Sequence, residues 1–504
     1  MMIGSLLLQI VFVPAVVSLV IFLFRHELGK RAGWVAVLSL VYTTFLLVAG
    51  GIWLWRGRPP IYEEYLLIAP DIKLGLLADG LSIAVALISN VLCLVLSTFS
   101  IRYIDHRIEI IYAGVGRKRE ASYYTRFYYL FLFFPMGFMG VSFSTNLIGM
   151  YFFLESLTIT LYFLMAYFGY IERVRIAMMC LLWGIFSAVF FLAGSLLSYS
   201  QIGSFEIARM GTLAGNPMAF WIIAVFLIGL FAKLAVFPFH VWMPWVHAEH
   251  PTCIAGLLAV YANIAAYIIV RALILPLFHD FQVFGPPIMV LALITMIYGS
   301  FLTLAQTDIK RVAACSTISQ IAYSMLGIGA LTAVSIEGGM FFFLSHIMGK
   351  TIFFSTAGIV VYITHIRNID QMGGLAARMP ITALLFLSGA MMLSGFPPFS
   401  SFAAEWILFT GIFERGARDT LALFVGILGV AAILLTVGYT FLAAKKIFFG
   451  PLAAGLDKAH IKDPPLSMSV PLILLICLSM VLGVYPKVVM DLLRPVISGS
   501  LPLL

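Results

Sequence analysis

The sequence predicts an all-α polytopic membrane protein of about fourteen transmembrane helices, and three observations predict it. First, 62% of the 504 residues are hydrophobic and only 10% are charged, and long apolar runs recur from end to end. A soluble chain of this length needs far more polar surface, whereas about 20 consecutive apolar residues span a bilayer. Second, the basic residues alternate in density from one loop to the next. Third, two apolar stretches are too long for one straight crossing, and both are interrupted in the middle.

Taken in order, the spans are expected at 4–24, 34–55, 77–101, 124–142, 146–168, 176–199, 219–246, 252–278, 285–304, 309–331, 336–363, 380–413, 420–444 and 467–486. The first has no basic n-region and no small-residue cleavage site, so it reads as a retained helix and not a signal peptide. Loops after odd-numbered spans carry 19 of the 30 Lys and Arg, including "GRKR" at 116–119 and the pairs Lys310–Arg311 and Lys445–Lys446. Loops and ends on the other side carry nine, and Lys233 and Lys350 fall inside spans. By the positive-inside rule the basic loops face the cytoplasm and both termini lie outside. The plasma membrane of a prokaryote is the membrane expected. No stretch between spans is long enough for a soluble domain.

Span seven breaks around Pro238 and span twelve at "SGFPP", Ser394–Pro398. The two lie five apart, at corresponding places in two five-helix blocks, spans 4–8 and 9–13. Five is odd, so the blocks enter the membrane with opposite polarity. Inverted repeats with discontinuous helices point to a transport site near mid-membrane. The chain then divides into N-terminal helices 1–3 (1–122), a first repeat (123–280), a second inverted repeat (281–450) and a helix-14 region (451–504).

Among the ionisable side chains inside spans, six are singled out: Glu155, Lys233, His240, His346, Lys350 and Glu405. Local pairing or snorkelling accounts for one such group more readily than for six, two of them beside helix breaks. Intramembrane ionisable groups mark proton or ion paths. Glu155 and Lys233 share one block and can neutralise each other. A charge that draws Glu155 away leaves Lys233 poised to release a proton. Glu405, seven residues after Pro398, is the matching group of the second block. His346 and Lys350 are one helical turn apart, and His is the side chain suited to relay protons near neutral pH. Ser316, Thr317, Ser319 and Gln320 either line a hydrated path or hold helices together.

The same residues narrow the chemistry. The net charge of +8 comes from short loops, so it sets topology and does not point to nucleic acid. The five cysteines are widely spaced with no CxxC pair, which argues against iron–sulfur ligation and a disulfide framework. "HVWMPWVHAEH" (240–250) holds three His and a Glu, but it is not HExxH and Pro244 interrupts the helix that would align zinc ligands. No Gly-rich phosphate loop, haem attachment motif or nucleophile elbow is present. No cofactor bound by this chain is expected.

The chain resembles the antiporter-like subunits shared by respiratory complex I, Mrp-type cation/proton antiporters and membrane-bound hydrogenases. The resemblance rests on "DGLS" (79–82), "NLIGMYFFLES" (146–156), "FAKLAVFPFHVWMPWVHAEHPT" (231–252), "AQTDIKRVAACSTISQIAYSMLGIG" (305–329), "LSHIMGK" (344–350) and "LSGFPPFSSFAAEW" (393–406). It covers spans three to thirteen. It implies fourteen core helices in two inverted repeats and a central axis of charged and polar groups. On that axis Glu155, Lys233, His346 and Glu405 match the family positions. Glu at 405 resembles the M-like subunit of complex I, where L-like and Mrp D-like members carry Lys. The chain also ends soon after span fourteen, without the long lateral helix of the L-like subunit. Where the family carries a Lys in span eight, this chain has Asn263.

The resemblance implies a proton- or sodium-translocating subunit of a complex-I-like oxidoreductase or membrane-bound hydrogenase. Its partners would be other membrane subunits and peripheral redox subunits with iron–sulfur clusters. The alternatives are a subunit of an Mrp-type antiporter with no redox partner, or a membrane scaffold. The residues do not distinguish H⁺ from Na⁺.

Overall fold

The computed structural model describes residues 4–69, 72–112, 117–453, 456 and 461–501. Gly116, which opens the basic 116–119 run, lies outside them, as do the chain ends at 1–3 and 502–504. Among the described residues, thirteen helices are long and apolar enough to cross a membrane. The remaining expected span, the twelfth, is two shorter helices, Pro380–Leu393 and Ser400–Gly416, separated by the break the sequence anticipates. Large apolar side chains such as Leu38, Leu434 and Val484 point outward from the spans. An apolar outer face on fully hydrogen-bonded helices suits hydrocarbon and not water. The protein is a multi-pass membrane protein.

Packing divides the chain into two compact units. The first comprises Met1–Lys233, Ile264–Val283 and Val489–Leu503, and the second chiefly Leu234–Asn263 and Phe284–Val488. Two of the cuts, at 233/234 and 263/264, fall inside span seven and inside span eight.

The first unit departs from the all-α expectation in one place. β1 (Ile61–Ala69) and β2 (Ile72–Ala78) form an antiparallel hairpin between spans two and three, with Ile61 opposite Ala78. In β2, burial is concentrated at its end, at Gly75, Leu76 and Ala78. The backbone after span four joins it, where Thr145 N donates to Gly75 O at 3.1 Å. A Cβ on Gly75 would lie 2.3 Å from Thr145 Oγ1, so the approach needs glycine. Asp79 then caps span three (Gly80–Ile111): its carboxylate accepts from Ser82 N at 2.9 Å while Ser82 Oγ accepts from Asp79 N at 2.9 Å. This reciprocal pair is a capping box and satisfies two helix-end amides. A further unexpected element is the amphipathic helix Lys487–Ile497, which buries Val489, Met490, Leu493 and Ile497.

In the second unit, spans ten (Ile309–Gly329) and eleven (Ala333–Thr364) form the core. Every residue of span ten except Arg311 is buried, and span eleven is buried from Ser335 to Val361. Small residues bring span eleven close to the second half of span twelve: a Cβ on Gly338 would meet Leu408 N at 2.3 Å, and one on Gly411 would meet Ser335 N at 2.2 Å. Close backbone approach through small residues is how helices associate where no hydrophobic difference drives them. Span thirteen (Thr420–Phe448) is apolar on its outward side and covers this core.

Candidate functional sites inside each unit

In the first unit the site residues are Glu155 and Lys233. Span five (Leu147–Phe168) starts at Asn146, whose side chain accepts from Gly149 N at 2.6 Å, and carries Glu155 half-buried two turns in. Lys233 is buried in the last turn of the helix Pro217–Leu234, which stops one residue later where Ala235 takes a positive φ of 54°. A helix C-terminus presents unpaired carbonyls and the negative end of the macrodipole. A cation there gains about 0.3–1 kcal/mol, and up to about 2 kcal/mol when partly buried. The break thus supplies part of what a buried ammonium requires. Glu155 supplies more, since its charge acts on Lys233. The sequence-selected pair therefore shares one electrostatic environment.

The first unit also holds groups the sequence reading left aside. Arg271 Nη1 donates to Asp79 Oδ2, pairing two residues 192 apart in sequence. Tyr267, one turn before Arg271, donates to Ser142 O at 2.6 Å. Around the Asp79–Arg271 pair lies a cavity of about 710 Å³, lined also by Tyr62, Thr145 and Glu206. Glu206 is outside the spans, and burial, ahead of its other neighbours, raises its carboxyl above the ordinary carboxylate range.

In the second unit, His240 lies in the short turn Phe239–Trp242 after the span-seven break, stacked on Phe237, with Nε2 3.3 Å from Tyr298 OH. His346 and Lys350 project from span eleven at successive turns, both fully buried. Lys350 Nζ donates to Ala313 O at 3.2 Å and to Ser316 Oγ. Asn263 Nδ2 lies 3.2 Å from His346 Nδ1 and donates to Ala259 O at 2.7 Å. Glu405 sits in the second turn of Ser400–Gly416, buried, with its carboxylate folded back against Gly395 in the break. Gly395 has φ +65° and a Cβ there would lie 2.2 Å from Glu405 Oε2, so the residue type is fixed twice over. Glu405 Oε1 has no partner among the described residues.

The polar run of span ten divides its work. Ser316 receives Lys350, and Thr317 bonds back to Ala313 O at 3.1 Å. Ser319 pairs with Ser300 of span nine at 2.9 Å, and Gln320 donates to Tyr439 OH at 3.1 Å. Tyr323 joins the same cluster through Thr436 at 3.0 Å.

Three further groups here are buried or paired in ways their sequence context does not show. Lys310, counted as a loop charge beside Arg311, is entirely buried and donates to His250 O at 2.6 Å, while Arg311 lies over the Trp245 ring at 4.2 Å. His247 is entirely buried, and neither ring nitrogen has a partner among the described residues. Arg367, after span eleven, reaches Glu249 at 3.0 Å and Asp308 at 2.8 Å, which ties the end of span seven to the start of span ten. Burial opposes the Arg367 charge, yet those two carboxylates hold the guanidinium above its ordinary value. "DIKR" and "HAEH" were the available signals. Their charges sit at span ends, where sequence alone does not separate solvated from buried. Among the described residues no group of three or more His, Cys, Asp or Glu is placed to hold a metal ion.

A pair of broken helices with buried ionisable groups at the breaks defines a class of membrane subunit. The chain belongs to the NADH:quinone oxidoreductase/Mrp antiporter transmembrane family, whose description matches residues 144–436, more than half of the chain. It is 28% identical over 505 residues to NADH-quinone oxidoreductase subunit M of Rickettsia felis, with 96% of each chain covered. A chain in the structure of the Mrp complex from Dietzia sp. superposes with a TM-score of 0.84 at 20% identity, covering 98% of this chain and 97% of that one. A chain of the membrane-bound sulfane sulfur reductase, an archaeal respiratory membrane complex, superposes with a TM-score of 0.83 at 22% identity, covering 96% of this chain and 77% of that one. At these identities the two structures speak for the fold alone. The protein is an antiporter-like subunit of the complex I/Mrp family.

Proposed function

We propose that this chain translocates H⁺ or Na⁺ as a membrane subunit of a complex-I-like assembly, driven by redox chemistry in partner subunits. The observation that carries the reading is the placement of buried charge at two helix breaks: Lys233 in the turn before one, and Glu405 folded onto Gly395 in the other. Broken helices free backbone groups, and such groups with an ionisable side chain are what an ion site in a membrane requires. In this reading spans 4–8 and 9–13 are inverted repeats, and Glu155, Lys233, His240, His346, Lys350 and Glu405 form the path. Other membrane subunits and peripheral iron–sulfur subunits supply the driving force, and this chain binds no cofactor itself. The membrane is the plasma membrane of a prokaryote, with both termini outside, as the distribution of basic loops favours. Glu at position 405 favours the redox-coupled reading over the Mrp-type alternative, because the resemblance associates Glu there with the M-like subunit.

The test is purification of the assembly through this chain, followed by ion translocation in sealed vesicles. Co-purifying redox subunits and translocation that starts with electron flow support the reading. An assembly without redox subunits that exchanges cations for protons supports the antiporter alternative. No translocation under either condition sinks both.

A further inference from the structure

We propose that Asn263 is a positioning residue that caps Nδ1 of His346, so that the imidazole takes up a proton only when the Asn263 amide turns over. The inference rests on the reading of His346 as part of the ion path. One atom of Asn263, Nδ2, faces both Ala259 O at 2.7 Å and His346 Nδ1 at 3.2 Å. A backbone carbonyl can only accept, so the atom between the two is the NH₂ group and not the amide oxygen. It has two hydrogens, one for each neighbour. Nδ1 is therefore the acceptor, and the neutral ring carries its own hydrogen on Nε2.

That assignment has a chemical consequence. A neutral imidazole has one basic lone pair. Here it is on Nδ1, which is occupied by the Asn263 N–H. A second proton binds at Nδ1 only if the amide rotates and presents Oδ1 to the new N–H. Rotation also gives up the bond to Ala259 O. The proton enters at Nδ1, leaves from Nε2, and the ring returns to neutral as the other tautomer. An amide can direct this exchange but cannot itself hold the proton. Asn263 Oδ1 and His346 Nε2 are both buried with no partner among the described residues, so the groups used in the turned-over state are unoccupied in this one.

The surroundings hold the ring in place. His346 stacks on Phe342, one turn earlier, at 6.2 Å and 11° between ring planes. Lys350, one turn later on the same helix, and His247, from the helix after the span-seven break, are the titratable groups whose charge reaches His346. From span ten, Tyr323 stacks on Phe342 and gives its hydroxyl to the Thr436 cluster.

The experiment compares His346→Gln, Asn263→Asp and Asn263→Leu in the assembled complex, reading the pH–rate profile of ion translocation in sealed vesicles. His346→Gln should lower translocation at least about tenfold, as expected for loss of a proton-transfer group. Asn263→Asp keeps the shape but replaces the capping donor with an acceptor, and should move the profile by roughly one pH unit to higher pH. Asn263→Leu removes the cap without adding charge and should also displace the profile, by less. A merely structural Asn263 changes the amount of assembled complex and leaves the profile in place. Parental profiles in both Asn263 variants, with His346→Gln inactive, overturn this inference alone. Parental translocation by His346→Gln overturns the reading of the ion path as well. If Asn263→Leu does not assemble, the near-isosteric Asn263→Asp decides the outcome.

Discussion

The two units bury lysine differently. In the first, Lys233 has the C-terminal carbonyls of its own half-helix and the charge of Glu155. In the second, Lys350 has a backbone carbonyl and the Ser316 hydroxyl, and among the described residues no carboxylate charge acts on it. Opposite charge offsets desolvation directly, whereas neutral dipoles do so only partly. A lysine supported by the charge of a carboxylate loses that support when the carboxylate moves or is protonated. A lysine held by hydroxyl and carbonyl groups has no such lever, and its charge depends on how much water reaches it. The first arrangement is suited to switching and the second to passive conduction.

The largest effects are expected at the helix breaks. Lys233→Ala and Glu405→Gln should each abolish ion translocation in reconstituted vesicles while the assembly forms in parental amount. Glu405→Asp should retain partial activity, because the carboxylate survives at shorter reach. Normal translocation by well-assembled Glu405→Gln would move the terminal gate elsewhere, with Lys350 the next candidate.

The contrast between the two lysines is sharpened by stability. Glu155→Gln leaves Lys233 without its carboxylate and should destabilise by about 1–2 kcal/mol, less than a fully buried pair because Glu155 is only half-buried. Lys350→Met removes a charge that had only neutral partners, and should be neutral or stabilising while lowering translocation. Thermal unfolding of the assembled complex reads both. Equal losses in the two variants would erase the distinction drawn here.

Arg367→Ala should cost about 1–3 kcal/mol, because it leaves Glu249 and Asp308 without their shared guanidinium. Faster proteolysis of the 365–379 segment, with translocation reduced and not lost, is the expected result. Unchanged cleavage would show the clamp to be dispensable.

The smallest effect concerns Glu206. Its carboxyl is raised chiefly by burial, so the folded loop favours the neutral acid. The sign follows: the contribution is fully present below the unfolded carboxyl pKa and is lost as pH rises through the raised folded value. Glu206→Gln should therefore increase hydrogen-exchange protection of residues 203–213 at neutral pH and make little difference in acid. Equal protection at both pH values would contradict the burial argument.

Much of this architecture is legible in the chain. Apolar runs of bilayer length appear wherever a helix must satisfy its own backbone in hydrocarbon, so the spans announce themselves. The breaks are equally visible, because Pro238 and the Gly395–Pro398 run cannot continue a helix. Charges inside apolar runs stand out for the same reason, which is why Glu155, Lys233, His346, Lys350 and Glu405 were found before any packing was known.

Other features depended on folding. The hairpin at 61–78 depends on pairing between two segments, and that pairing is not a local property of the sequence. Lys310 was placed in solvent because its neighbours are polar, yet packing of spans ten and seven encloses it. The Asp79–Arg271 pair and the Arg367 clamp join residues far apart in sequence. The direction of the Asn263 amide was fixed by two neighbours, one a turn away and one on another helix. Hydropathy and backbone geometry are local properties, written residue by residue. Hydrogen bonds and ion pairs between side chains are set by which helix faces meet, and only the packed chain decides that.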